Sequence, residues 1–256
     1  MKRQAGQLVG LKTRRFWNPL SPQATMTKKM KVTKDRFAKS VRPRSFAETY
    51  QEGLRLFMGQ GELNQTLARL VRNLEEHHIE YMVVGAIALI AHGYRRFTED
   101  IDLVMTSEAL DIFHRELIGL EYAPRFPGAR KRIRSTVDGV SIEVIVSGEY
   151  PGDGKPKPVA IPRPEEASSE IEGVRVVTLA KLIELKLASG ITAPHRLRDL
   201  ADVQELIKIR GLGAEFAEQI DPYVRGKYLE LWTAVASAGA DEERDNDGNP
   251  DLPEPS

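Results

Sequence analysis

The stretch from Tyr81 to Met105 constrains this chain more than any other. Tyr81-Met82-Val83-Val84 is a short, β-branched apolar run, the pattern of a buried strand, and it stops at Gly85. Ala86 to His92 is small and apolar and is predicted helical, with Gly93 closing it at the C-cap. Asp100 to Met105 then reads as a second strand, in which Asp100 and Asp102 alternate with Ile101 and Leu103. Side chains at i and i+2 of a strand share a face, so the two carboxylates point the same way, roughly 7 Å apart, while Ile101 and Leu103 turn to the core.

The flanking segments supply what such a unit needs to bury itself. Leu63, Leu67, Leu70, Val71 and Leu74 fall at helical spacing and predict one buried helix face before the first strand. Ser107 starts an amphipathic helix through Leu117, with Leu110, Phe113 and Leu117 inward. Lys131 to Val137, the Asp138-Gly139 turn and Val140 to Val146 form a hairpin pattern. A strand near Val174 to Val177 leads through Thr178, as N-cap, into a helix ending near Gly190, and further helices are predicted over roughly 195–209 and 221–237. The expected fold is therefore α+β: a small mixed sheet flanked by helices, with a helical C-terminal section.

Charge divides the chain. The net charge is zero, yet residues 1–45 carry thirteen Lys or Arg against the single Asp35, and 241–256 carry seven Asp or Glu against the single Arg244. The middle is left mildly acidic, with 23 basic and 29 acidic residues. The organisation expected from this is a disordered basic arm over 1–44, a folded domain over 45–210, C-terminal helices over 211–238 and a disordered acidic tail over 239–256. Order is expected to begin at Ser45, whose spacing to Glu48 suits a capping box ahead of Phe46, Leu54 and Phe57. The arm suits contact with RNA, DNA or another polyanion, and equally suits solubility or a start at Met26 or Met30. There is no cysteine, which excludes thiolate metal sites and disulfide scaffolds. No apolar run approaches a membrane span and the N-terminus lacks a secretory h-region, so a cytoplasmic protein without a membrane partner is expected.

Alone, Asp-x-Asp is a common pair on a solvated strand end. Two features of its context point to chemistry. Gly85 ends a strand where a helix begins, and a missing Cβ with free backbone N–H groups lets a phosphate approach. A third acid then stands in Ser141-Ile142-Glu143-Val144-Ile145-Val146, with Ile142, Val144 and Val146 on one face and Glu143 on the other beside Ser141 and Ile145. An acid among apolar neighbours is costly to bury unless paired or bound to metal. Paired carboxylates can hold a hard cation with room for substrate phosphates, so the set predicts a phosphoryl-transfer site. Downstream, Lys186 falls on the inward side of its helix with Leu179 and Ile183, and an inward lysine needs an anion. Arg198 and Asp202, at i and i+4, are spaced to pair on a helix surface. His92, just before the helix-ending Gly93, could do no more than cap carbonyls, and Arg95 and Arg96 are either solvated or meet phosphate.

The string Gly85-Ala86-x-Ala88, His92-Gly93, Arg96-x-Thr98-x-Asp100-Ile101-Asp102-Leu103, with the later acid Glu143, resembles the nucleotidyltransferase superfamily that shares the DNA polymerase β fold. More narrowly it is similar to AbiEii-type toxins and minimal bacterial nucleotidyltransferases, over about residues 62–210. Arg198-Asp199-x-x-Asp202 is similar to the segment that follows the lysine in those proteins. The resemblance implies the nucleotidyltransferase fold and transfer of a nucleoside monophosphate from a nucleoside triphosphate to an acceptor hydroxyl. It implies Asp100, Asp102 and Glu143 as metal-binding and catalytic groups for Mg²⁺ or Mn²⁺. It implies Gly85, Ala86, Arg96, Thr98, Lys186, Arg198 and Asp199 around the nucleotide. The implied acceptor is RNA, for example a tRNA end, or a protein, with a cognate antitoxin or toxin as a further partner. Two departures stand out: Ala86 where Gly or Ser is usual, and Glu143 where Asp is commoner. They keep two rivals open, a small-molecule (antibiotic) nucleotidyltransferase and a degenerate, non-catalytic antitoxin-like binding protein.

Overall fold

The computed structural model describes residues 61–247, with side-chain surroundings to residue 238. The basic arm, the capping box at Ser45 and the end of the acidic tail lie outside the described residues. The described chain builds a seven-stranded mixed sheet with helices packed against it and a helical C-terminal section.

The chain begins with α1 (Glu62–Glu76), whose Leu63, Leu67, Leu70, Val71 and Leu74 are all buried, as the helical spacing requires. Next come β1 (Met82–Val83), α2 (Gly85–Ala91), β2 (Asp100–Met105) and α3 (Ser107–Glu116). α3 starts at Ser107 as expected, and its cap is Thr106: the Thr106 hydroxyl accepts the Ala109 N–H at 3.1 Å, meeting one of the donors a helix start leaves over. Then follow β3 (Tyr122–Pro124), β4 (Arg132–Ser135) and β5 (Ser141–Val146). Gly139, at φ 84°, turns the β4–β5 hairpin, and Asp138 anchors that turn by accepting from Thr66 and Arg69 of α1. A short α4 (Pro164–Ala167) precedes the hairpin β6 (Ser168–Ile171) and β7 (Val174–Val177). The C-terminal section is α5 (Leu179–Thr192), α6 (Leu197–Arg210) and α7 (Pro222–Asp247), joined by 3₁₀ turns at Pro194–Arg196 and Ala214–Gln219.

Spatial order in the sheet is β3-β4-β5-β2-β1-β7-β6. β2 runs parallel to β5 and antiparallel to β1, and β1 runs parallel to β7. The centre is buried on both sides, which is why Val83, Leu103, Val104 and Met105 form near-continuous apolar runs. On one face α1 and α3 cover the outer strands: the Phe113 ring meets Tyr122 at 5.4 Å, and the Tyr122 hydroxyl accepts from Asn73 at 3.0 Å. α7 runs to Asp247, ten residues past the expected end near 237. Ala, Asp and Glu are tolerated in a helix, and no proline intervenes before Pro250. Among the described residues no helix is long and apolar enough to cross a membrane.

Candidate active site

Register, more than any single residue, builds the site. β2 and β5 pair with Asp100 opposite Ser141 and Asp102 opposite Glu143. Opposite residues share a sheet face, so the three acids stand together on the face away from α1 and α3, while Ile101, Leu103, Ile142 and Val144 point into the core. The i, i+2 spacing in the sequence is thereby extended into a third dimension by a strand some forty residues downstream.

Gly85 closes this face from the side of β1. The Val84 N–H donates to the Asp102 carbonyl at 3.0 Å, and Gly85 then turns at φ 64° into α2. A Cβ on Gly85 would overlap Asp102 Oδ2 and lie 2.8 Å from its Cγ. Glycine is thus required twice, by the left-handed backbone and by the carboxylate packed against its Cα. Ala86, the second residue of α2, is buried, at 8% exposure.

The three acids are not equivalent. Asp102 is pushed up to about 7, chiefly by burial and then by Asp100 and Glu143, with Lys186 and Arg196 pulling the other way. Asp100 is exposed, and its Oδ1 accepts from the Thr98 hydroxyl at 2.6 Å, which fixes the carboxylate's orientation. Glu143 is half exposed, its carboxylate 3.7 Å from Arg132 on the neighbouring strand. The expected burial cost therefore falls on a different acid: Glu143 meets solvent because, among the described residues, no helix covers the outer strands on this face, and Asp102 is the acid held out of water. Among the described residues no three His, Asp or Glu side chains converge closely enough to grip one metal ion as they stand. The donor chemistry, carboxylate oxygen only and one acid with its charge unneutralised, nonetheless suits a hard divalent cation.

Behind Asp102 lies a second charged cluster. Lys186 is buried on α5, and its ammonium donates to Asp202 at 2.7 Å and Asp199 at 2.9 Å. Asp202 also accepts from Arg96 at 2.5 Å, and Asp199 accepts from the Ser189 hydroxyl at 2.7 Å, with Arg196 at 3.6 Å. Burial raises the Asp199 pKa, but Lys186, Ser189 and Arg196 outweigh it and hold the acid below its ordinary value. The inward lysine has found its anions inside the protein. Arg198 is exposed and makes no ion pair among the described residues, because Asp202 turns inward to Arg96 and Lys186 instead of back along α6. His92 is buried and its Nε2–H donates to the Val177 carbonyl at 2.7 Å, tying α2 to β7; burial lowers its pKa, as does Arg210, against the pull of that carbonyl.

Sequence reasoning passed over Ser189, Arg196 and Arg132. Arg196 and Asp199 at i, i+3 were a legible signal. The pairing of Ser189 with Asp199 depends on how α5 meets α6, and that of Arg132 with Glu143 on hairpin register, which no spacing shows.

No protein-family model matches this chain, and no curated protein does. Solved structures are similar at low identity. One is described as a "putative nucleotidyltransferase" from H. pylori, 18% identical over 70% of this chain and 95% of that one, with a TM-score of 0.38. A second is JHP933 from Helicobacter pylori, 17% identical over 71% and 93%, TM-score 0.39. A third is a "putative nucleotidyltransferase" from Thermotoga maritima, 16% identical over 58% and 93%, TM-score 0.33. At these values the function has to be argued from the site itself.

Proposed function

We propose that the chain is a metal-dependent nucleotidyltransferase, moving a nucleoside monophosphate from a nucleoside triphosphate to an acceptor hydroxyl. The observation that carries this reading is the β2–β5 register, which sets Asp102 beside Glu143, with Asp100 on the same face, against a glycine turn with no room for a side chain. Asp100, Asp102 and Glu143 would hold Mg²⁺ or Mn²⁺, which when bound neutralises the phosphates and the charge that develops on transfer. Gly85 and Ala86 offer backbone at the turn, and Thr98 keeps Asp100 aimed at the same place. Arg96, Lys186 and Asp199 form the wall behind, joined through Asp202, and from it the Lys186 charge favours the ionised form of Asp102. The half-exposed Glu143 accepts the acceptor's proton as its oxygen bonds to the α-phosphorus. The bond from that phosphorus to the bridging oxygen breaks, and pyrophosphate leaves. Arg198 stands at the exposed start of α6, where it is free to meet nucleotide or partner.

The finer setting, an AbiEii-type enzyme acting on tRNA with a cognate antitoxin, rests on the motif alone. The rival reading as a non-catalytic binding protein is favoured by one observation: among the described residues no three acids stand close enough to grip one ion without moving. Incubation with each α-labelled nucleoside triphosphate, bulk RNA and Mg²⁺ or Mn²⁺, beside Asp102→Ala, separates the two. Label moving to RNA only with the intact carboxylate is the expected result. Equal behaviour of wild type and variant removes catalysis, and an absence of metal-dependent nucleotide binding by calorimetry leaves the rival.

A further inference from the structure

The sheet face that bears the acids does not end with them. Register carries it outward: Glu143 lies opposite Arg132 and Ser141 opposite Arg134 on β4, and the Arg125 N–H donates to the Arg132 carbonyl at 2.9 Å, setting Arg125 opposite Arg132 at the end of β3. Two cross-strand rows result, Arg125–Arg132–Glu143–Asp102 and Arg134–Ser141–Asp100, each running from arginine to acid. Their other faces are committed to the core, since Ile133, Ser135 and Ile142 are buried. Residues 122–137 contain five Arg or Lys and no acid, in a body that is otherwise mildly acidic. Arg130 and Lys131 are used up by Asp111 and Glu149, and Arg132 is shared with Glu143, but Arg125 and Arg134 have no ion-pair partner among the described residues. Phe126 stands beside Arg125 at the hairpin tip, 52% exposed, where no core needs it.

We infer that this face of β3 and β4 is the acceptor track, and that it takes a single-stranded nucleic acid whose terminal hydroxyl arrives at Glu143. The inference rests on the transferase reading and specifies its acceptor. Arginines on adjacent strands of one sheet face, two of them without an ion pair, suit backbone phosphates, and an exposed aromatic ring at the end of the row supplies a platform on which a base stacks. The run of positive charge stops where the acids begin, so a strand lying along it ends at the site. A small antibiotic has no use for a row of this length. A protein acceptor of acidic character would answer to the arginines but not to Phe126, and it becomes an outcome of the test.

The test uses the full chain, with binding of a fluorescein-labelled mixed-sequence 20-nucleotide RNA, and the matching DNA, followed by anisotropy over a salt series. Arg125→Ala/Arg134→Ala is expected to weaken RNA binding at least about tenfold at low salt, and to reduce the slope of log affinity against log salt by about 1.4, two phosphates at about 0.7 each. Phe126→Ala is expected to lose at least about fivefold. The control Arg115→Ala/Lys227→Ala removes the same charge from α3 and α7 and is expected to change neither quantity comparably. If both double variants bind alike, retention belongs to the basic arm and the proposal is overturned. Loss of MgATP affinity without loss of RNA affinity in Arg125→Ala/Arg134→Ala also overturns it, since the arginines then serve the triphosphate. So does an unchanged Phe126→Ala, which would leave only a generic anion surface of the kind an acidic protein meets. DNA binding equal to RNA binding keeps the track and marks it as blind to the 2′-hydroxyl. The transfer reading fails separately: RNA binding that follows these variants while no label moves in wild type keeps the track and discards the chemistry.

Discussion

Two clusters of charge lie on either side of Asp102, and they are built on opposite terms. On the sheet, Asp100, Asp102 and Glu143 share one face, with the half-exposed Arg132 beside Glu143, and the carboxylate of Asp102 is held near 7 by burial and by the two neighbouring acids, against the weaker pull of Lys186 and Arg196. Between α5 and α6, Lys186 and Arg96 meet Asp202 while Ser189 and Lys186 meet Asp199, and no buried side-chain polar atom lacks a partner among the described residues. A cluster that satisfies itself serves the fold, because breaking it would strand a buried charge. One that leaves its charge uncancelled costs stability and is retained for what it binds. The difference separates residues that the motif alone treats as one set.

The largest effect expected from this contrast is on chemistry. Asp102→Ala should lower nucleotidyl transfer by about a thousandfold or more, comparable to losing a principal transition-state contact, while leaving the thermal midpoint unchanged or raised. A thermal midpoint that fell instead would put Asp102 among the structural charges and break the comparison. Next in size is Lys186→Met. It leaves Asp199 and Asp202 facing each other in the interior, and a loss of about 3 kcal/mol is expected by urea titration, the range for removing one partner of a buried pair. Retention of wild-type stability would show that water reaches this network, and its self-sufficiency would no longer distinguish it from the acids.

Gly85→Ala probes the contact between turn and carboxylate. Placing a side chain at φ 64° costs roughly 1–2 kcal/mol, and the overlap with Asp102 Oδ2 adds to it. A fall in the thermal midpoint together with reduced transfer is expected, whereas a variant of full activity and stability would show that the turn is not packed on Asp102 as described.

The acidity of Asp102 gives a pH-dependent prediction whose sign can be worked out. Its folded pKa, about 7, lies above the ordinary carboxylate value of 3.8. Below that ordinary value the acid is protonated whether the chain is folded or not, and it contributes nothing. As pH rises from there through 7 the unfolded chain ionises first, so the folded state loses stability progressively. Asp102→Asn should therefore match wild type near pH 4 and exceed it by on the order of 1–3 kcal/mol at pH 8, less than the full shift implies because neighbours and solvent relax. A gain that appeared at low pH and vanished at high pH would reverse the assignment.

How much of this was legible beforehand follows the same division. The strand–glycine–helix–strand unit was readable because alternation and the stop at Gly85 are local signals, and α1 because five apolar residues share one face. β3, β6 and the short α4 were not anticipated: three or four residues each, they are held by neighbours and not by periodicity. The acids could be named but not ranked. Burial of Asp102 depends on what packs over β2, and exposure of Glu143 on which face of β4 and β5 the described helices cover, both settled by tertiary arrangement. Lys186 could be read as inward, yet its anions come from α6 after a turn whose geometry leaves no trace in the spacing.

The smallest expected effect is the sharpest check on the sheet cluster. Arg132 lies 3.7 Å from Glu143, with both side chains about half exposed, 58% and 49%. Pairs of that kind contribute roughly 0–1 kcal/mol, because water screens them and two long side chains must be held still. Arg132→Ala should therefore change stability by less than about 0.5 kcal/mol at moderate salt. A loss several times larger would mean that Glu143 depends on its arginine much as Asp202 depends on Lys186. In that event the sheet acids are partly neutralised from within the protein, and the case for an external cation is weakened at the one acid whose partner is already in place.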